Sequence, residues 1–329
     1  MKTNKFFNLV AVMALCFAGC ANQSNVKKSI AVFVPGIIED SPIYAMMVDG
    51  VKEAVEEYNE KLPEESKVEI FVLEAGTNQA QWSGQLTSLA ATGKYDVIFS
   101  SNPSLPELAA PLTQQFPNQK FIFLDASCQD NLSIATACYK QDEAAYLTGY
   151  MAGLMTKSCK VGLISGQEYP SMNNIILPWY ETGAKAANPK CTVDFRVVGN
   201  WWDAKKGAEL ADAMYNNGVD VILPICGGAS QGVIASAKEH KFYLCWFDSN
   251  TYSSAPGLVI SCVVNLQKKL SKEMTLEFLA GKTQWGKAVE LGMKEGYIKF
   301  VDDDPLYIEH IPAETRVEIA EQIKIISGK

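Results

Sequence analysis

Residues 29–55 read SIAVFVPGIIEDSPIYAMMVDGVKEAV, and the fold is decided there. Ile30-Ala31-Val32-Phe33-Val34 is a short unbroken apolar run rich in β-branched and aromatic residues. A strand covered on both faces of a parallel sheet has that composition. Pro35 and Gly36 end it, because proline cannot donate to a ladder and glycine permits a sharp turn. Glu39-Asp40-Ser41 is a polar turn, and Ser41 followed by Pro42 reads as a helix start. Ala45, Met46, Val48, Val51 and Val55 then recur at three- and four-residue spacings. The stretch is a strand–turn–helix unit with its turn at the carboxyl end of the strand, where open α/β sheets bind ligands.

The same unit repeats. Strands are expected over 68–73, 95–99 and 121–125, separated by helices over 80–92 and 106–115. A second series has strands over 160–164, 191–198, 219–224 and 242–248, with helices over 143–155, 179–187, 205–217 and 233–240. Each series closes on an apolar strand ending in aspartate, Asp125 and Asp248. Alternation of this kind predicts an α/β fold of two doubly wound parallel-sheet lobes facing a cleft. A further strand over 258–264 and helix over 266–280 are expected to return to the first lobe and complete a multi-strand hinge, followed by a last helix over 313–326.

The N-terminus is read separately. Lys2 and Lys5 precede an apolar run over 6–17, and Ala18-Gly19 leads into Cys20. The run is short for a bilayer span, and the pattern is that of an export signal. It resembles a bacterial lipobox, with Phe17 at the usual leucine position, which implies lipid (palmitate among the acyl chains) on Cys20. The resulting division is a lipoprotein signal peptide over 1–19, a tether over 20–28, lobe 1 over 29–127 plus about 257–282, lobe 2 over 128–256, and a C-terminal segment over 283–329 packing on the lobes. The expected location is the cell membrane, lipid-anchored, facing the periplasm or cell exterior.

Composition narrows the function. The chain has 29 basic against 37 acidic side chains and a net charge of −8, with no basic cluster, so nucleic acid is not an expected partner. His240 and His310 are the only histidines, and no nucleophile elbow, phosphate loop or zinc-protease motif is present, so a non-enzymatic, cofactor-free and metal-free protein is expected. Asp302-Asp303-Asp304 lacks the glycine and terminal glutamate of a calcium loop and reads as a solvated turn. The cysteines beyond Cys20 (Cys128, Cys138, Cys159, Cys191, Cys226, Cys245, Cys262) contain no CxxC pair. Most lie in apolar surroundings, as small buried hydrophobes do. A Cys128–Cys138 bridge remains open.

The strand ends carry the binding chemistry. Asp40, Ser41, Ser101, Asn102, Asp125, Gly228 and Asp248 all fall where strands deliver the chain to the cleft. Burying carboxylates there is costly unless donors meet them. An ionised carboxylate accepts from both hydroxyls of a vicinal diol. Tyr44, Trp82, Tyr169, Trp179, Trp201, Trp202 and Trp246 fall mostly in or beside the polar turns, where an aromatic face can stack on a planar ring. The expected ligand is a flat heterocycle carrying hydroxyls.

Asp40-Ser41-Pro42-Ile43-Tyr44 through Gly50, Glu143-Ala144-Ala145-Tyr146-Leu147-Thr148-Gly149, Lys160-Val161-Gly162, Gly183-Ala184-Lys185, Gly218-Val219-Asp220-Val221-Ile222, Gly232-Val233 and Asp248 follow one another in an order that resembles the basic membrane protein family. These are bacterial lipoproteins that include purine nucleoside receptors of ABC importers. The resemblance implies a type I periplasmic-binding-protein fold, and it implies capture of a nucleoside for a membrane permease by a monomeric receptor. It implies that Asp125 and Asp248 bind the hydroxylated arm, and the Asp40 turn and Asn102 the base. Ile43-Tyr44 stands in place of the family's Phe-Asn, and Asn265 stands about where a lysine follows the hinge strand, with Lys268 and Lys269 one turn on. Loss of a cation and gain of aromatics also fit riboflavin, the ligand of a related branch. The expected ligand set is Asp40, Ser41, Tyr44, Ser101, Asn102, Asp125, Tyr169, Trp179, Trp202, Gly228, Asp248 and Asn265. The alternative is a sensor of the same fold that signals through a membrane receptor.

Overall fold

The structure, a computed structural model, describes residues 27–328; the expected signal peptide and Cys20 lie outside the described residues. In chain order the strands are β1 (Ser29–Val34), β2 (Glu69–Glu74), β3 (Val97–Ser101), β4 (Lys120–Leu124), β5 (Ile134–Tyr139), β6 (Lys160–Ser165), β7 (Thr192–Val197), β8 (Val221–Ile225), β9 (Tyr243–Asp248), β10 (Val259–Asn265), β11 (Ala288–Leu291) and β12 (Ile298–Phe300). The helices are α1 (Pro42–Asn59), α2 (Gln79–Ala91), α3 (Leu105–Gln115), α4 (Gln141–Met155), α5 (Leu177–Ala187), α6 (Ala204–Asn216), α7 (Ser230–His240), α8 (Gln267–Leu279), α9 (Pro305–His310) and α10 (Ala313–Ser327).

Two six-stranded sheets form two lobes, with orders β11-β5-β4-β3-β1-β2 and β12-β10-β9-β8-β6-β7. The first five strands of each lobe are parallel and follow one doubly wound order, so the two lobes repeat the same topology. β11 pairs parallel to β5, whereas β12 pairs antiparallel to β10. Buried Ile30, Val32, Val97, Phe99, Ile122 and Leu124 fill one face of the first sheet, and Phe33, Leu86, Leu105, Phe121 and Phe123 fill the other.

The division of the lobes differs from the expectation. β5 belongs to the first sheet and β10 to the second, so lobe 1 extends beyond residue 127, and the strand expected to return to lobe 1 completes lobe 2 instead. Each lobe has a fifth strand after its aspartate-bearing fourth strand, and only then does the chain cross over. The C-terminal segment also supplies one strand to each sheet, β11 and β12.

Three crossing segments therefore join the lobes: β5 into α4, β10 into α8, and β11 into β12. They bond to one another side by side. The Lys140 N–H donates to the Leu291 carbonyl at 3.0 Å, the Leu266 N–H to the Tyr297 carbonyl at 2.8 Å, and the Met293 N–H to Glu143 Oε2 at 2.7 Å. Lys140 also pairs with Glu295 at 3.2 Å.

Some of the glycines noted in the sequence are packing residues. α4 and α5 approach so closely that a Cβ on Gly149 would stand 2.0 Å from the Tyr180 carbonyl oxygen, and one on Gly183 would stand 2.1 Å from that of Tyr146. All seven cysteines in the described residues are free thiols, so Cys128 and Cys138 are not bridged. Among the described residues no helix is long and apolar enough to cross a membrane.

Candidate functional site

Asp125 and Asp248 occupy equivalent places, each at the carboxyl end of the fourth strand of its lobe. Both have left-handed backbone, with φ of 50° and 70°. Aspartate tolerates that region better than most residues, but the conformation is still costly and is characteristic of functional sites. Each carboxylate accepts one carboxamide hydrogen bond: Gln141 Nε2 donates to Asp125 Oδ1 at 3.0 Å, and Asn265 Nδ2 to Asp248 Oδ1 at 2.7 Å. Both amides come from crossing segments, Gln141 at the start of α4 and Asn265 at the end of β10.

The two carboxylates are close enough to feel one another. Burial raises Asp125 to about 7, the Asp248 charge adds to that rise, and the Gln141 bond works against it. Burial raises Asp248 to about 6 against the opposing bond from Asn265. Tyr139 and Tyr169 are each pushed up by burial and then by both aspartates, so two tyrosines stand in the same field. Tyr44 is raised to about 12, mainly by burial; Asn102 lies at its hydroxyl, and the Asp125 charge reaches it. Their shared electrostatic field places these side chains together where the two lobes meet.

The aromatics are seated by glycines. A Cβ on Gly36, past the end of β1, would lie 2.8 Å from the Tyr44 ring. One on Gly166, at the equivalent point past β6, would lie 2.4 Å from the Trp201 ring. Each lobe thus lays one aromatic ring on bare backbone at the end of its first strand. Trp201 packs on Tyr169 with centroids 6.0 Å apart, and its carbonyl accepts from the Ala229 N–H beside Gly227 and Gly228.

Of the expected set, Tyr44, Asn102, Asp125, Tyr169, Asp248 and Asn265 come together here, with Gly228 alongside. The others do not. Asp40 is exposed, and Ser41 is the N-cap of α1, accepting from the Tyr44 N–H at 3.5 Å. The Ser101 hydroxyl accepts from Gln267 Nε2 at 2.7 Å and is buried. Trp202 is 55% exposed. Trp179 packs edge-on against Tyr146, whose hydroxyl donates to Gln322 of α10, on the outside of lobe 2. The tryptophan that packs on Tyr169 is Trp201. Trp82 is in the core of lobe 1, its indole donating to the Gly76 carbonyl at 2.8 Å. Gln141 and Tyr139 are additional residues that no motif marked.

The lysines after β10 line a cavity with Asp248 and Asn265, and each is engaged by other groups. Lys268 and Lys272 both pair with Glu53 at 2.9 Å, and Lys269 lies over the Tyr297 ring and donates to the Gly296 carbonyl. A cavity of about 700 Å³ runs from Asp248 and Asn265 between α1 and α8 on one side and Val264 and Val301 on the other. Another of about 670 Å³ lies on the outer face of lobe 1 between Phe71, Gln85 and Tyr95. His240 pairs with Asp212 at 3.3 Å and stacks on Tyr215. Asp303 pairs with Lys299, and Asp304 caps α9. No group of three metal-ligating side chains occurs among the described residues.

Two repeated α/β lobes, three crossing strands and a polar gap lined by paired carboxylates and aromatic rings define the class of two-lobed solute-binding proteins. The chain belongs to the Bmp family, described as ABC transporter substrate-binding protein PnrA-like, whose model matches residues 27–329. Basic membrane protein A1 of Borrelia garinii is 25% identical over 325 residues, covering 96% of this chain and 92% of that protein. The ABC transporter nucleoside-binding protein BmpA of Lactococcus lactis is 31% identical over 147 residues, covering 44% of this chain and 41% of its own. An ABC transporter solute-binding protein from Aeropyrum pernix superposes with a TM-score of 0.78 over 92% of both chains at 19% identity.

Proposed function

We propose that this protein captures a flat heterocycle bearing hydroxyls, a purine nucleoside or riboflavin, between its lobes and delivers it to the permease of an ABC importer. In this reading it works as a monomer held to the membrane by lipid on Cys20. The observation that carries the reading is the pair Asp125 and Asp248, one per lobe, sharing a gap in which each has a single carboxamide donor. Such a gap asks for donors from the ligand, which ribose or ribityl hydroxyls supply. Tyr44 and Trp201, held by the two lobes, offer faces for the ring, with stacking worth roughly 1–3 kcal/mol per contact.

The nucleoside-binding relative favours a nucleoside. The additional Tyr169 beside Trp201 favours a wider ring system. Closure would bring the carboxylates onto the same hydroxylated arm, and the hinge would set the geometry. Titration of the purified chain with adenosine, guanosine, inosine and riboflavin tests the reading. Binding raises the melting temperature as the logarithm of ligand concentration over Kd; no shift with any of the four overturns the ligand class.

A further inference from the structure

We propose that Gln141 is a specificity-determining residue of this gap, one that together with Asp125 selects ligands offering two adjacent hydrogen-bond donors; the inference rests on the function proposed above. Gln141 opens α4 within the first crossing segment, β5 into α4. Its Nε2 is committed to Asp125 Oδ1 at 3.0 Å. Its Oε1 is buried and has no partner among the described residues. Turning the amide over would press two acceptors together, so the carboxylate fixes which way the amide faces.

The contrast with Gln267 shows that this is not a general property of the position. Gln267 is the first residue of α8, the equivalent crossing helix, and both ends of its amide are satisfied. Its Oε1 accepts from the Tyr139 hydroxyl at 2.6 Å and its Nε2 donates to Ser101 Oγ at 2.7 Å. Gln141 is satisfied at one end only. A buried acceptor without a donor is costly, and such atoms in folded proteins call for an explanation.

Gln141 Oε1 belongs to the same amide whose Nε2 bonds Asp125 Oδ1, so this unpartnered acceptor sits beside the carboxylate. Two neighbouring acceptors match a vicinal diol in which both hydroxyls donate. A ligand lacking one of them leaves an acceptor dry, and sites built this way discriminate strongly against such analogues. Because Gln141 belongs to a crossing segment, the diol is read by the hinge itself.

The test is calorimetric titration of the wild-type chain and Gln141→Leu with adenosine, 2′-deoxyadenosine, 3′-deoxyadenosine, riboflavin and lumiflavin, which lacks the ribityl hydroxyls. Gln141→Met serves if the leucine variant fails to fold. The expected result is roughly a ten-fold loss of affinity for the hydroxylated member of the pair that binds, with the deoxygenated members nearly unchanged, so that discrimination collapses. An equal loss for both members, or no loss, overturns the proposal and leaves Gln141 a structural residue. If the wild-type chain binds none of the five, the functional reading has failed and the proposal falls with it; that outcome is distinct from wild-type binding with unchanged discrimination in the variant.

Discussion

Replacing Asp125 by asparagine should make the empty protein more stable and its grip on ligand weaker. Asparagine keeps the size, accepts the Gln141 hydrogen bond and tolerates the φ of 50°, which alanine would not. Burial and the Asp248 charge raise the carboxyl from 3.8 to about 7. At about 1.4 kcal/mol per unit that shift is about 4 kcal/mol, and water reaching the cleft reduces it to about 2 kcal/mol. The unfolded chain gives up this proton near pH 4, whereas the folded chain holds it to near pH 7. The penalty is therefore absent below about pH 4, grows as pH rises, and is complete above about pH 7. Denaturant unfolding at pH 4.5 and pH 8 should show Asp125→Asn little changed at the lower pH and about 2 kcal/mol more stable at the higher. Affinity at pH 8 should fall by a charged hydrogen bond, ~1.5–3 kcal/mol, or roughly ten- to hundred-fold. A variant equally destabilised at both pH values, with unchanged affinity, would refute the reasoning and make Asp125 a structural acceptor.

Other substitutions separate the roles of neighbours. Trp201→Ala should cost ~1–3 kcal/mol of binding and remove most of the ligand-dependent tryptophan fluorescence change, while exposed Trp202→Ala changes neither. Asn265→Leu, which strips Asp248 of its donor, should weaken ligand binding and raise the pH at which binding is half lost, whereas Lys185→Ala, which breaks only an exposed pair with Glu181 on α5, should leave affinity within roughly two-fold in a calorimetric titration. Gly149→Ala should destabilise folding by ~1–3 kcal/mol in denaturant unfolding, because its new methyl meets the Tyr180 carbonyl at 2.0 Å.

The doubled strand–helix rhythm made the two lobes legible, since buried parallel strands such as Ile30–Val34 and Phe121–Leu124 are unbroken apolar runs. Asp125 and Asp248 stood out because both follow such runs. β5 did not: Ile134-Ala135-Thr136-Ala137-Cys138-Tyr139 mixes in alanines of low strand preference. β11 and β12, of four and three residues, are too short to show a period. Missing β5 is what displaced the lobe boundary and sent β10 to the wrong sheet. Asn265 was marked only by its place in the family order, and Gln141 gave no signal at all, because their bonds to the aspartates depend on crossing segments meeting strand ends over 17 and 16 residues of chain. Trp201 and Trp202 are adjacent in sequence, and contacts at the end of the neighbouring strand β6, Gly166 under the ring and Gln167 at the indole, hold Trp201 while Trp202 stays exposed.

The most direct measurement is a crystal structure of the chain with adenosine or riboflavin bound. The account places ligand hydroxyl oxygens within about 3 Å of both Asp125 and Asp248, with the ring system against Tyr44 and Trp201. A ligand seated elsewhere, or one touching neither carboxylate, would contradict it.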